Sequence, residues 1–136
     1  MKLFYKVSFT VLVTIFLISC NNKQPSKTQT KAGKIEVITP ADFKEKSTNQ
    51  LIIDVRTPGE FAQGHIKGAT NINLFDKNFT EQFLEFDKST PLFIYCRSGS
   101  RTSKASEKLA EIGFENIYDL HGGIINWHKN NLPIIK

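Results

Sequence analysis

Cys96 opens a six-residue run, Cys96-Arg97-Ser98-Gly99-Ser100-Arg101, that combines one thiol, two guanidinium groups and three small residues. Small residues let a backbone curl with its amide N–H groups turned inward, and such a nest attracts anions. The run follows the apolar stretch Leu92-Phe93-Ile94-Tyr95 and precedes a helical pattern, so it lies where a strand gives way to a helix. A helix start adds N–H groups with no internal partner and the positive end of the helix dipole. A cysteine at the rim of that nest is favoured as its thiolate, the nucleophilic form. Arg97 and Arg101 add permanent positive charge. The chemistry these residues offer is that of a nucleophile inside an anion-binding loop, with no separate general base required.

Elements that would position this loop are legible on both sides. Ile35 to Ile38 reads as a strand, and Thr39-Pro40-Ala41-Asp42 as a helix start with a capping threonine, proline at the first helical position and an acidic first turn. Leu51 to Val55 is a continuous apolar strand of the kind covered on both faces. A short helical turn from Pro58 to Ala62 follows, then a strand near Ala69 to Ile72. Phe75, Phe79, Phe83 and Phe86 fall at helical spacing and predict a helix packed on the sheet. After the cysteine loop, Ala105, Leu109 and Ile112 mark one face of a helix that Gly113 closes. Asn116 to Leu120 supplies a fifth strand, His121-Gly122-Gly123 a turn, and Ile124 to Lys129 a last helix carrying Trp127. Strands alternating with helices predict a parallel α/β sheet, whose carboxyl edge is where ligands bind.

The loop CRSGSR, the helix TSKASEKLAEIGF and the stretch NIYDLHGGIINW together resemble the active-site half of rhodanese-like sulfurtransferases. The segment DVRTPGEFAQGHIKGATNIN, Asp54 to Asn73, resembles the second signature of that family. The likeness runs from about Ile35 to Leu132. It implies a five-stranded parallel sheet flanked by helices, and a two-step reaction in which Cys96 takes a sulfur atom from an anionic donor such as thiosulfate and passes it from a persulfide to cyanide or a cellular thiol. In that scheme Cys96 is the carrier, the backbone from Arg97 through Ser98, Gly99 and Ser100 to Arg101 holds the persulfide, and Arg101, with Arg97, faces the donor anion. No cofactor is implied. Cysteine phosphatases and arsenate-handling enzymes of related fold space their arginine one residue further, Cys-x5-Arg. The shorter ring here suits a single sulfur atom and crowds a phosphoryl group. A third reading is a domain that binds or delivers persulfide to one partner without turnover.

Other candidates carry two readings each. Arg56 either adds to the positive field around the donor or pairs with Glu60 while Asp54 caps the loop. His65 orders a loop or serves as a base. His121 and His128 stand seven apart with no third ligand nearby, so no metal site is expected. Trp127 reads as packing.

The chain has 136 residues and two cysteines. Met1 to Cys20 begins with Lys2 and Lys6 and continues through an apolar run, Val7 to Ile18, too short for a comfortable membrane span. Leu17-Ile18-Ser19-Cys20 resembles the lipobox of bacterial lipoproteins, which implies a signal peptide over 1–19 and acylation of Cys20. The other reading is an uncleaved anchor. Either places the domain on a membrane face outside the cytoplasm, periplasmic or outer. Residues 20–33 are polar and read as a flexible tether, leaving 34–136 as one domain. With Cys20 in the anchor, Cys96 is the only thiol of the domain, so a disulfide within the domain is ruled out and the thiol reads as reactive or intermolecular. The full chain carries a net charge of +5, which falls to +3 without Lys2 and Lys6; this is mild and scattered, with no stripe for nucleic acid. A tethered monomer is expected.

Overall fold

The computed structural model describes residues 33–136. The leader, Cys20 and the tether up to residue 32 lie outside the described residues. Among those described, no helix is long and apolar enough to cross a membrane.

Five strands, β1 (Lys34–Ile38), β2 (Leu51–Asp54), β3 (Ala69–Asn71), β4 (Leu92–Tyr95) and β5 (Asn116–Leu120), form one sheet in the order β1-β5-β4-β2-β3. Every pairing is parallel. Four helices connect or follow them: α1 (Pro40–Lys46), α2 (Pro58–Gln63), α3 (Ser100–Glu111) and α4 (Gly123–Lys129). The five-stranded parallel sheet flanked by helices expected from the sequence is therefore present.

Central position explains why β4 contains nothing polar apart from the Tyr95 hydroxyl. Leu92 and Ile94 point into a core with Ile53, Phe83, Leu109 and Phe114, on the α3 side. Phe93 and Tyr95 point the other way, onto Phe43 of α1 and Ile124 and Trp127 of α4. Burying each such side chain contributes about 1.5–3 kcal/mol. Phe43 adds edge-on contacts to Phe93, Tyr95 and Trp127, with ring centroids 5.4, 6.5 and 6.1 Å away. Two-sided packing leaves the end of β4, and hence Cys96, little freedom.

The α1 start follows its sequence. Thr39 accepts from the Asp42 N–H, and Pro40 takes the first position. The aromatic segment does not. Instead of a helix spanning Phe75 to Phe86, the chain makes successive turns with one 3-10 turn, Glu81–Phe83. Asn73, Asp76 and Asn78 account for this, because their side chains compete for local partners. The Phe75 N–H donates to Asn73 Oδ1, Asn73 Nδ2 donates to Asp76, and Gln82 Nε2 donates to Asp76 and Asn78. Phe79 and Phe83 still reach the core, whereas Phe75 is left 67% exposed.

Candidate active site

The loop after β4 is tighter than the sequence suggested. Cys96 does not sit at the rim of the nest; its side chain is fully buried. Its Sγ accepts the Gly99 N–H at 3.1 Å and lies 3.8 Å from Thr102 Oγ1. The Thr102 hydroxyl donates back to the Gly99 carbonyl at 2.9 Å, which closes the curl from the helix side. Gly99 adopts φ +101°, a left-handed conformation that side chains resist, and so lets its N–H turn toward sulfur. Arg97, Ser98 and Ser100 are exposed around this centre.

The turn between β5 and α4 braces the loop from beneath. The Ile124 N–H donates to the Cys96 carbonyl at 2.9 Å, and the Ile125 N–H to that of Arg97 at 3.2 Å. Gly123 passes so close that an added Cβ would stand 2.5 Å from the Cys96 carbonyl oxygen. Only a glycine fits there. The sequence marked Gly122-Gly123 as a turn and missed this close approach, since a Gly-Gly pair alone does not tell what it lies against.

Two ion pairs arrange the surrounding charge, and neither is the Arg56–Glu60 pair expected. Arg56 is buried on Asp54: its Nε donates to both carboxylate oxygens at 3.0 Å, and its Nη2 donates to Asp54 Oδ2 at 2.6 Å and to the Gly64 carbonyl at 2.7 Å. Burial works against the charge on Arg56, but the hydrogen bonds and field of Asp54 raise its pKa overall. Two residues along a strand end bring Asp54 and Arg56 within reach, whereas the next turn carries Glu60 elsewhere. Glu60 instead accepts from Arg101, with both bonds at 2.7 Å. It also completes a capping box with Thr57. Arg101, followed by the hydrogen bonds from Thr57, holds the Glu60 carboxyl down at about 2. Arg101 also stands 5.9 Å over the Phe75 ring.

Arg56 and Arg97 share a cavity of about 230 Å³ with Ile124, Ile125 and His128. His65 stacks on Phe61 at 3.7 Å, and its Nδ1 lies 3.1 Å from the Phe61 carbonyl, which fits the loop-ordering reading. His121 lies against Asn126, 3.4 Å away, on the α4 turn. Trp127 is buried and donates to the Pro133 carbonyl at 2.9 Å.

An enclosed thiol held by a backbone N–H, at the carboxyl end of a central parallel strand and within the field of Arg101, can accept an atom from a small anion. Comparison with known proteins agrees in kind. Residues 39–130 match the model of the rhodanese-like domain. Thiosulfate sulfurtransferase GlpE of Shewanella oneidensis is 35% identical over 101 residues, covering 67% of this chain and 98% of that protein. The tRNA uridine(34) hydroxylase of Cytophaga hutchinsonii is 34% identical over 129 residues, 91% of this chain but 40% of that protein. Among solved structures, a rhodanese-related protein from Thermoplasma volcanium superposes with a TM-score of 0.66 at 29% identity, covering 74% of this chain and 97% of its own. With its fold, its loop and its relatives in agreement, this chain belongs to the rhodanese-like domain family.

Proposed function

We propose that the protein is a thiosulfate-type sulfurtransferase in which Cys96 carries the sulfur. The Cys96 thiolate attacks the outer sulfur of thiosulfate. The bond to the sulfonate sulfur breaks, its electron pair leaves with sulfite, and Cys96 becomes a persulfide. A cyanide or thiolate acceptor then attacks the outer persulfide sulfur and the Cys96 thiolate departs, restoring the enzyme. Neither step needs a proton at the leaving group, which suits a loop without an acid.

One observation carries the reading: Sγ is enclosed and already accepts the Gly99 N–H at 3.1 Å, inside a ring of only four residues between Cys96 and Arg101. A negative charge on sulfur, or on one further sulfur atom, finds a donor there. A phosphoryl group, with three oxygens to satisfy, finds the ring crowded. Arg97 is the exposed guanidinium positioned to meet the donor anion, while Arg101 acts from its ion pair with Glu60. Sharing with the Cytophaga hydroxylase is confined to two fifths of that protein, so its reaction is not assigned to this chain.

The leader supports the rest of the proposal. Basic Lys2 and Lys6, the apolar run and Leu17-Ile18-Ser19-Cys20 favour export and a lipid anchor at Cys20, with the domain working as a monomer on a periplasmic or outer membrane face. The test is thiocyanate production from thiosulfate and cyanide beside a phosphate-ester assay, each repeated with Cys96→Ser. Thiocyanate that vanishes in the variant supports the reading. Phosphate release without thiocyanate points to a phosphatase, and silence in both to a delivery or binding module.

A further inference from the structure

Beside the sulfur loop, on the α3 face of the sheet, lies a second cavity of about 460 Å³. That is within the range of about 300–1,000 Å³ typical of small-molecule sites. Its walls include Ile35 and Val37 of β1, Ser98 and Gly99 of the loop, Glu107 of α3, Asp119 of β5 and His121 just beyond it. Asp119 is the anomaly. It is 94% buried (6% exposed), and its Oδ1 has no hydrogen-bond partner among the described residues.

A buried carboxylate oxygen left without a partner is costly, so its retention needs a cause. The neighbours do not supply one. The Thr102 hydroxyl stands near enough to favour the ionised form, but its proton is committed to the Gly99 carbonyl at 2.9 Å. Ser106 donates to the Thr102 carbonyl at 2.7 Å. Burial pushes the Asp119 carboxyl up to about 6, only partly offset by the Thr102 hydroxyl and the field of His121, and among the described residues no basic side chain stands within ion-pair distance of it. The walls around it define what that partner looks like. Glu107 adds a second negative charge, and Val37, 59% exposed, offers with Ile35 an apolar strip on the edge strand.

We propose that this cavity binds a small organic cation, a primary ammonium or guanidinium on a short apolar stem, with the charged head donating to Asp119 and the stem lying along Ile35 and Val37. The head satisfies the orphan oxygen, and the stem covers apolar surface that is otherwise wet. Occupancy bears on the loop, because Ser98 and Gly99 form part of the wall and Gly99 also holds the Cys96 sulfur. The proposal stands apart from the sulfur-transfer reading and does not need it to hold.

The test titrates the full chain with n-butylguanidinium, beside n-butanol and butyrate, and follows backbone amide shifts by NMR. The expected result is a saturable shift clustered at Val37, Ser98, Gly99, Ser103 and Asp119 for the cation alone. Affinity should fall about tenfold or more in Asp119→Asn, as expected for the loss of a hydrogen bond to a charged group. Because a buried site tolerates change poorly, Val37→Lys provides a second variant: at an exposed edge position it sets a fixed ammonium over the cavity and should displace the probe while circular dichroism stays that of the parent. Binding of the alcohol as tightly as the cation, no saturable shift, or full affinity in Val37→Lys overturns the proposal and leaves Asp119 a carboxylate satisfied by water alone.

Discussion

Arg101 and Glu60 face each other through two hydrogen bonds of 2.7 Å, so the residue that ends the cysteine loop is fastened to the first turn of α2. The two lie 41 residues apart in the chain, and the clamp joins the two segments that carry the family's signatures. Glu60→Gln keeps shape but loses charge. It should cost about 1–2 kcal/mol in urea denaturation, in the range of a partly exposed charge-assisted pair, and should lower sulfur-transfer activity by loosening Arg101.

The same carboxylate gives an acid signature. Its folded pKa, about 2, lies below its ordinary value of 4.5, so the stability it confers is complete above that ordinary value. That stability should drain away as pH falls from the ordinary carboxylate range toward 2. Comparing parent and Glu60→Gln by denaturation at pH 7 and pH 3 checks the sign: the gap between them narrows at the lower pH. A gap that widens would be inconsistent with the clamp.

Gly123 is a positioning residue for the loop. Gly123→Ala sets a Cβ 2.5 Å from the Cys96 carbonyl oxygen at a backbone φ of +60°, so the loop must move. The left-handed conformation alone costs about 1–2 kcal/mol for a side chain, and overlap with backbone adds to it. Thiocyanate production should fall about tenfold or more, through kcat rather than KM, because displacing a reacting atom acts on the chemical step. Gly59, whose added Cβ would touch nothing, is the control: Gly59→Ala should leave the rate near that of the parent.

Arg56 should prove structural. Lysine cannot make the forked contact to Asp54 and the Gly64 carbonyl, and breaking a buried pair costs about 3–5 kcal/mol. Arg56→Lys should therefore lower the midpoint of urea unfolding strongly while the activity of the remaining folded fraction stays close to the parent's. Loss of activity without loss of stability would return Arg56 to the donor site.

These cases also show what could be read beforehand. The apolar run Leu92 to Tyr95 and the residues Cys96 to Arg101 announced a buried strand ending in a tight loop at a helix start, because a two-sided strand and a small-residue turn are local patterns. The Arg101–Glu60 clamp and the seat of Gly123 under Cys96 are relations between distant segments, and no period or spacing reports them. The Thr57–Glu60 capping box also emerged only with the structure, and the second role of Glu60 depends on where α3 lands. Phe75 misled for the opposite reason. Its spacing was helical, but Asn73, Asp76 and Asn78 gave the backbone better local partners than a helix would.

The claim on which the rest depends is that Cys96 itself holds the transferred sulfur, and mass spectrometry of the intact protein addresses it most directly. After exposure to thiosulfate and removal of excess donor, the parent should gain the mass of one sulfur atom, located at Cys96 by peptide analysis and removed again by cyanide. Cys96→Ser should gain nothing. A parent that gains no sulfur while still producing thiocyanate, or a gain that persists in Cys96→Ser, would contradict the account.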